Sequence, residues 1–305
     1  MNEFAQNRLP LTSRDVMPQL YRAASGLMYP EPLPPDDTAH VSLVLDNTNC
    51  ILYHANVDKL GPEEFALIRR HGFGGSDSSV LMGVNPYTTW EELIQQKAST
   101  TLSQEELETS NQIAVIKGND LEPLIIDKFE QVFDMKTLKP TDMYSIKDFD
   151  YLKMNFDGVT GTPEQYIPVE IKVVTAKGEQ HYNASRAIYI ERMGWLQQSE
   201  NFAAHENNSI ETKAAQYGIP AYYYTQLQQE MLALNAPFGY LASLWEKTWT
   251  MHVFFVHADY KLWDQLKIQG FKAWEQVEAL KGRQNAAQRI SEISPTNSQS
   301  QTNQY

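Results

Sequence analysis

The chemistry this chain could do is most visible in Asn155-Phe156-Asp157-Gly158, followed by Glu170-Ile171-Lys172 inside the apolar stretch Ile167 to Val174. Successive strand side chains point to opposite faces, so Glu170 and Lys172 share one face while Val169, Ile171 and Val173 share the other. Asp157-Gly158 reads as a turn closing the extended segment Tyr151 to Phe156, so that the chain reverses there and brings Asp157 beside Glu170. Two carboxylates held about 4 Å apart at an effective dielectric near 20 repel by roughly 4 kcal/mol, so they need a proton, a cation or a metal. Lys172 supplies one positive charge. Hard oxygen ligands of this kind suit magnesium, which binds through one or two carboxylates plus substrate phosphate, and the implied chemistry is phosphodiester hydrolysis. Taken alone the fragment has a plainer reading, because Glu-apolar-Lys also occurs as a solvated charge pair and Asp-Gly as a simple turn.

Three further segments carry the same double reading. In Lys117-Gly118-Asn119-Asp120-Leu121-Glu122-Pro123-Leu124, Asn119 could cap a helix with Glu122 as the reciprocal member of a capping box. Alternatively Glu122 reaches across as a third carboxylate of a hydrolytic metal cluster. Gly74-Gly75-Ser76-Asp77 opens a short helix whose free N–H groups would favour an anion, and Arg69, Arg70 and His71 precede it; Ser76 could equally be an ordinary N-cap. Gln226 and Gln229 share a face of the helix that begins at Tyr222-Tyr223-Tyr224, with Gln228 beside them. Their amides could orient a water or contact phosphate, or form a solvated face with the tyrosines packed inward. His54, His181, His205, His252 and His257 have no ligand spacing and are assigned to no metal. Asp127, Asp150 and Glu164 are adequately explained as surface carboxylates.

The elements that must position these groups belong to a chain of 305 residues, 42% hydrophobic, long enough for one large core with appendages. Its single cysteine, Cys50, excludes an internal disulfide and a multi-cysteine metal site. With no signal-like start and no apolar run of about 20 residues, neither membrane insertion nor secretion is expected, and the cytoplasm is the expected compartment. The net charge of −13 argues against a broad basic nucleic-acid surface, although a channel can be locally basic and metal ions add charge. Residues 1–60 read as a proline-rich arm followed by a hairpin over Val41 to Leu45 and Cys50 to Tyr53. From Gly61 the pattern predicts helices over Pro62 to His71, up to Met82, and Trp90 to Lys97, the last with a Thr88–Glu91 capping box. The apolar period of Leu121, Leu124, Ile125, Phe129, Val132 and Phe133 marks another helix. After the two strands come helical segments over Ser185 to Gln198, a polar stretch Ser199 to Thr212, a helix from Pro220 to Asn235, a strand over Met251 to His257 and a helix from Asp259 to about Leu280. The expected fold is α/β, a small central sheet flanked by helices, with a disordered polar tail over 283–305.

Arg69 with Gly74-Gly75-Ser76-Asp77, Gly118-Asn119-Asp120-Leu121-Glu122-Pro123, Asp157-Gly158 with Glu170-Ile171-Lys172, and Gln226-Leu227-Gln228, in this order, resemble the YqaJ-like viral recombinase family. That family includes the lambda-type phage exonucleases, within the PD-(D/E)XK nuclease superfamily, and the resemblance spans about residues 61–282. It implies a restriction-endonuclease-like core with a mixed sheet. It also implies that Asp157, Glu170 and the Ile171 carbonyl hold Mg²⁺ (or Mn²⁺ in its place), with Glu122 as a further acidic ligand. Lys172 would orient and activate the attacking water, Gln226 would stand beside it, and Arg69 and Ser76 would receive the DNA 5′-phosphate. The family implies a 5′→3′ exonuclease on double-stranded DNA, often a ring-shaped trimer, working with a single-strand annealing protein in phage recombination in the host bacterial cytoplasm. Two alternatives stand beside it: a structure-specific or restriction-like endonuclease, and a non-catalytic scaffold that keeps the nuclease core to bind a protein. The acidic balance, the first 60 residues and the stretch Ser199 to Thr212 depart from the family pattern.

Overall fold

The strand that carries Glu170 and Lys172, β6 (Gln165–Val174), lies near the middle of a seven-stranded sheet in the computed structural model, which describes residues 40–103, 113–196 and 208–293. The strand order is β2 (Thr137–Leu138), β5 (Val159–Thr162), β6, β9 (Phe238–Trp245), β10 (Thr250–His257), β7 (Tyr189–Ile190) and β8 (Gly194–Trp195). β6 and β9 run parallel while the other neighbours are antiparallel, which makes the sheet mixed. A strand over Phe238–Trp245 is not expected from the sequence, because a run of eight mostly apolar residues does not by itself separate strand from buried helix. A smaller sheet joins β1 (Cys50–His54), β3 (Met143–Ile146) and β4 (Phe149–Met154). The expected hairpin is absent: Val41 to Leu45 forms no strand, and β1 pairs with the distant β3 instead.

Helices cover both faces of the large sheet. Residues paired across neighbouring strands share a face. Val169 therefore faces the same way as its partner Tyr240, whose ring packs 5.3 Å from Phe129 on α4 (Ile113–Phe133). Glu170 shares the other face with Leu241, toward α6 (Ala221–Leu234), whose Leu227 lies against Gly239. Ile125, Phe129 and Phe133 form the buried stripe of α4, and each ring or aliphatic group so buried stabilises the fold by roughly 1.5–3 kcal/mol. Because a central strand is covered on both faces, Glu170 is only 1% exposed although it shares a face with Lys172.

Several local expectations are corrected. α4 begins at Ile113 and carries Pro123 in its interior, so Asn119 and Glu122 are not at its N-terminus and the capping-box reading of Glu122 fails. The capping box of α3 (Trp90–Ala98) is Thr89 with Glu92, one position later than expected. Ser185 to Leu196 holds a single 3-10 turn, Ala184–Arg186, and the strands β7 and β8 in place of helix. α5 (Ile210–Tyr217) takes the end of the polar stretch and precedes α6. The last helix, α7 (Tyr260–Ile293), runs past the expected end near Leu280 into the stretch read as tail. The arm over residues 1–39, most of the polar stretch (197–207) and the final residues 294–305 lie outside the described residues. No helix among the described residues is long and apolar enough to cross a membrane.

Candidate active site

Asp157 lies in the connection between β4 and β5, and it reaches Glu170 by a different route from the one expected. The chain reverses at Pro163-Glu164, where β5 turns into antiparallel β6, and not at Asp157-Gly158. Gly161 makes that reversal possible, at φ +97° and with no room for a Cβ, which would lie 2.3 Å from the Gln165 carbonyl oxygen. Gly158 has a packing role instead: a Cβ there would meet Thr137 Cγ2 at 2.7 Å. The ladder with β5 ends at Pro168, after which the Ile171 N–H donates to Asp157 Oδ2 at 3.0 Å. The N–H and C=O of one strand residue point to the same edge, so the Ile171 carbonyl also faces Asp157.

Lys172 closes the group. Its ammonium contacts Glu170 Oε1 directly and lies 3.7 Å from Asp157 Oδ2 and 5.3 Å from the centre of the Tyr223 ring. Burial alone would push this ammonium's pKa down, but Glu170 and Asp157 outweigh it and hold Lys172 charged, above the usual lysine range. From α6, Gln226 Nε2 donates to Glu170 Oε1 at 2.6 Å. One turn further, Glu230 is 1% exposed and accepts from Gln226 Nε2 at 3.5 Å. Burial raises the carboxyl pKa of both Glu170 and Glu230, Glu230 the further; Asp157 adds to the rise at Glu170, and Glu170 and Asp157 add to the rise at Glu230, while Lys172 opposes both.

The sequence-expected residues therefore come together in two groups and one outlier. Asp157, Glu170, Ile171, Lys172 and Gln226 are linked in one chain of contacts, Ile171 and Lys172 to Asp157, and Lys172 and Gln226 to Glu170. Glu122 approaches from α4: burial first and Asp157 second raise its pKa, yet its Oε1 lies 2.7 Å from Lys139 Nζ, within ion-pair distance but without hydrogen-bond geometry. Arg69 and Ser76 form the second group, with Arg69 Nη2 donating to Ser76 Oγ at 3.0 Å. They line a cavity of about 290 Å³ whose walls also include Lys153, Asn155, Asp157 and Gln226. Two cations face one carboxylate there, so the site is locally basic within an acidic chain.

The loop before Ser76 differs from the expected helix-end anion site. Gly75–Asp77 is a 3-10 turn leading into the four-residue α2 (Ser78–Leu81), and the Gly74 N–H is already taken by Asp77 Oδ2 at 2.8 Å. The Gly74 N–H is therefore not offered to an anion, and the groups of this loop that face the cavity include the Arg69 and Ser76 side chains. Lys97 of α3 holds the loop in shape, 2.6 Å from Asp77 and donating to the Arg69 carbonyl at 3.0 Å. The reading of Gln226, Gln228 and Gln229 as a solvated face also fails, since Gln228 and Gln229 are fully buried and bond to backbone carbonyls. Sequence reasoning missed Glu230, Lys97 and Lys153. An ionisable residue one helical turn after Gln226 in an apolar helix was the available signal for Glu230.

The residues present fit a hard divalent cation in chemistry. Glu170 Oε2 is buried without a hydrogen-bond partner, Asp157 and the Ile171 carbonyl face the same space, and Glu122 adds an oxygen donor nearby. Among the described residues no three carboxylate, histidine or cysteine side chains are yet gathered into a ligand cluster, because Lys172 occupies the space between Asp157 and Glu170.

A mixed sheet flanked by helices, with Asp157, Glu170 and Lys172 converging beside the central strand β6, defines the class: a mixed α/β domain with a carboxylate–lysine centre. The chain belongs to the YqaJ-like viral recombinase domain family, whose model matches residues 64–236. Solved structures similar to it include an alkaline exonuclease from Laribacter hongkongensis, at 13% identity over 73% of this chain and 96% of that one, TM-score 0.48. A complex of that enzyme with dAMP matches at 14% identity over 75% and 99%, TM-score 0.48. A phage-related exonuclease from Haemophilus somnus matches at 13% identity over 73% and 96%, TM-score 0.39. Curated proteins gave no match.

Proposed function

We propose that this protein is a divalent-metal-dependent deoxyribonuclease that hydrolyses double-stranded DNA from its 5′ ends, the task that its family membership and the resemblance both suggest. The observation that carries the proposal is that Asp157 and Gln226, which contact Lys172 and Glu170, line a cavity that also presents Arg69 and Ser76. That adjacency gives one place for the scissile phosphate and another, within the same cavity, for a terminal phosphate.

In this reading Asp157, Glu170 and the Ile171 carbonyl hold Mg²⁺ or Mn²⁺, with Glu122 joining them once it leaves Lys139. The chemistry such an ion supplies is charge stabilisation on the phosphate and acidification of water. The protein's own groups do the rest. Lys172, held charged, donates to the attacking water and to the developing negative charge. Gln226 donates to Glu170 and, more weakly, to Glu230, and so fixes the carboxylate beside the attacking water. Arg69 and Ser76 recognise the 5′-phosphate by charge and hydrogen bonding, which sets polarity. A ring-shaped homotrimer and a single-strand annealing partner belong to the same proposal, through the family's role in phage recombination.

The test is linear blunt duplex DNA with Mg²⁺ at low salt, where phosphate contacts are strongest. Mononucleotides released from the 5′ end are expected. Cleavage of covalently closed circles would turn the reading to an endonuclease, and the absence of both cleavage and calorimetric Mg²⁺ binding would leave a non-catalytic scaffold.

A further inference from the structure

A second cleft, of about 690 Å³, opens beside the carboxylate centre, with walls that include Tyr87, His181, Tyr182, Asn183, Pro220 and Tyr222. Its aromatic groups form a connected series. Tyr87 meets Tyr222 with ring centres 6.1 Å apart, Tyr222 meets Tyr223 at 4.4 Å, and Tyr223 lies 6.3 Å from Tyr182 and 5.3 Å from Lys172 Nζ. The series thus starts at the reacting centre and ends at an open surface. Tyr222 and Gln226 are one turn apart on the same face of α6, and Gln226 touches Glu170.

Tyr87 is 77% exposed, which places a large ring in water on a loop that is nonetheless fixed. Asn85 Oδ1 accepts from the backbone N–H groups of Tyr87 and Thr88, each at 2.8 Å, and Asn85 Nδ2 donates to Ser79 Oγ at 2.7 Å. Ser79 belongs to α2, the helix that follows Ser76, so the ring and the phosphate-facing loop are anchored to one element. Among the described residues no lysine or arginine lines the cleft, and Glu211 does. The exposed ring of Tyr87 and the half-buried ring of Tyr222, with Gln180, His181 and Asn183 at the walls, match flat heterocycles that stack and hydrogen-bond along their edges.

We propose that this cleft binds unpaired nucleobases of the DNA strand whose phosphate occupies the Asp157–Glu170 centre, stacking them on Tyr87 and Tyr222; the assignment of the strand rests on the deoxyribonuclease reading of that centre. The ring series keeps the strand end open and aligned beside Lys172, and because every base has a stacking face the cleft is tolerant of sequence.

The test uses the full chain with Ca²⁺ and a single-stranded oligodeoxynucleotide carrying 2-aminopurine, compared with the same strand made abasic. Wild type is expected to quench the fluorophore and to prefer the base-containing strand by about 5- to 100-fold per stacked base. Tyr87→Ala and Tyr222→Ala should lose that preference and Tyr87→Trp should keep it; exposure of Tyr87 makes its substitutions harmless to folding. Variants that retain the preference, or a wild type that lacks it, would overturn the proposal, and the second result is also what a cleft serving a protein segment would give. Hydrolysis after adding Mg²⁺ is read separately. Base preference without hydrolysis sinks the nuclease reading and leaves the cleft, whereas hydrolysis without base preference sinks the cleft alone.

Discussion

Gln226 donates its amide to Glu170 at 2.6 Å, joining a helix and a central strand that are 56 residues apart in sequence. The bond sets which carboxylate oxygen faces Lys172 and which is left open. Glu170 Oε1 takes both Gln226 and Lys172, while Oε2 is buried without a partner. The centre is therefore organised from α6 as well as from β6.

Asp157→Asn keeps an oxygen that can accept from the Ile171 N–H, so it removes charge while preserving the link to β6. DNA cleavage with Mg²⁺ is expected to fall by about 10²-fold or more, and Lys172→Ala to fall at least as far. Unchanged far-UV circular dichroism alongside the activity loss is the expected pair of results. Activity within a few-fold of wild type in either variant would remove these residues from the mechanism.

Glu230→Gln tests the raised carboxyl pKa. A carboxyl whose folded pKa is raised holds a proton that the unfolded chain releases above its own pKa of roughly 4.3. Its contribution to stability is complete below that pH and is lost as the pH rises through the folded pKa. Burial and the neighbouring carboxylates raise Glu170 and Glu230 in this way, so the metal-free protein should lose stability as pH increases from about 4.3. Denaturant melts in EDTA across that range should show a shallower decline for Glu230→Gln. An identical slope would mean that Glu230 is ionised in the fold.

Arg69 is expected to govern the preference for phosphorylated ends. Losing one charge-assisted contact costs about 1.5–3 kcal/mol, so Arg69→Ala should reduce discrimination between 5′-phosphorylated and 5′-hydroxyl duplexes by roughly 10- to 100-fold. Paired rate measurements on the two ends would show it. Equal discrimination in the variant would move the terminal phosphate elsewhere.

Lys97 and Asp77 form a largely buried ion pair that fixes the Ser76 loop. Burial pushes the Asp77 carboxyl up, but Lys97 and Arg69 outweigh it and hold it below the usual range. Lys97→Met strands that charge and should cost about 3–5 kcal/mol in chemical denaturation, whereas the double variant Asp77→Asn with Lys97→Met should cost less. Similar losses in both would show that packing and not charge is at stake.

Cys50 is buried beside the Ala233 carbonyl, and burial pushes its thiol up to about 12. A thiol reagent at neutral pH is expected to label it only after denaturant is added, since the thiolate is the reactive form. Prompt labelling of the native protein would mean that β1 opens readily.

Residue type and order alone carried the family resemblance of this chain. Asp157, Glu170, Lys172, Glu122, Gln226, Arg69 and Ser76 can be picked out as candidates because their segments follow one another in the family's order, although each segment alone also has a plainer reading, and the helix over Leu121 to Phe133 announces itself by its apolar period. What the sequence could not decide is where each group ends up, because that depends on pairings between distant segments. β1 chose β3 over a local partner, β9 formed beside β6, and Asp157 reached Ile171 through a turn at Pro163-Glu164. Burial followed from those pairings: α6 covered Glu170 and brought in Glu230, and burial raised the pKa of both. A carboxylate's neighbours in space set its charge, and a one-dimensional pattern records only its neighbours along the chain.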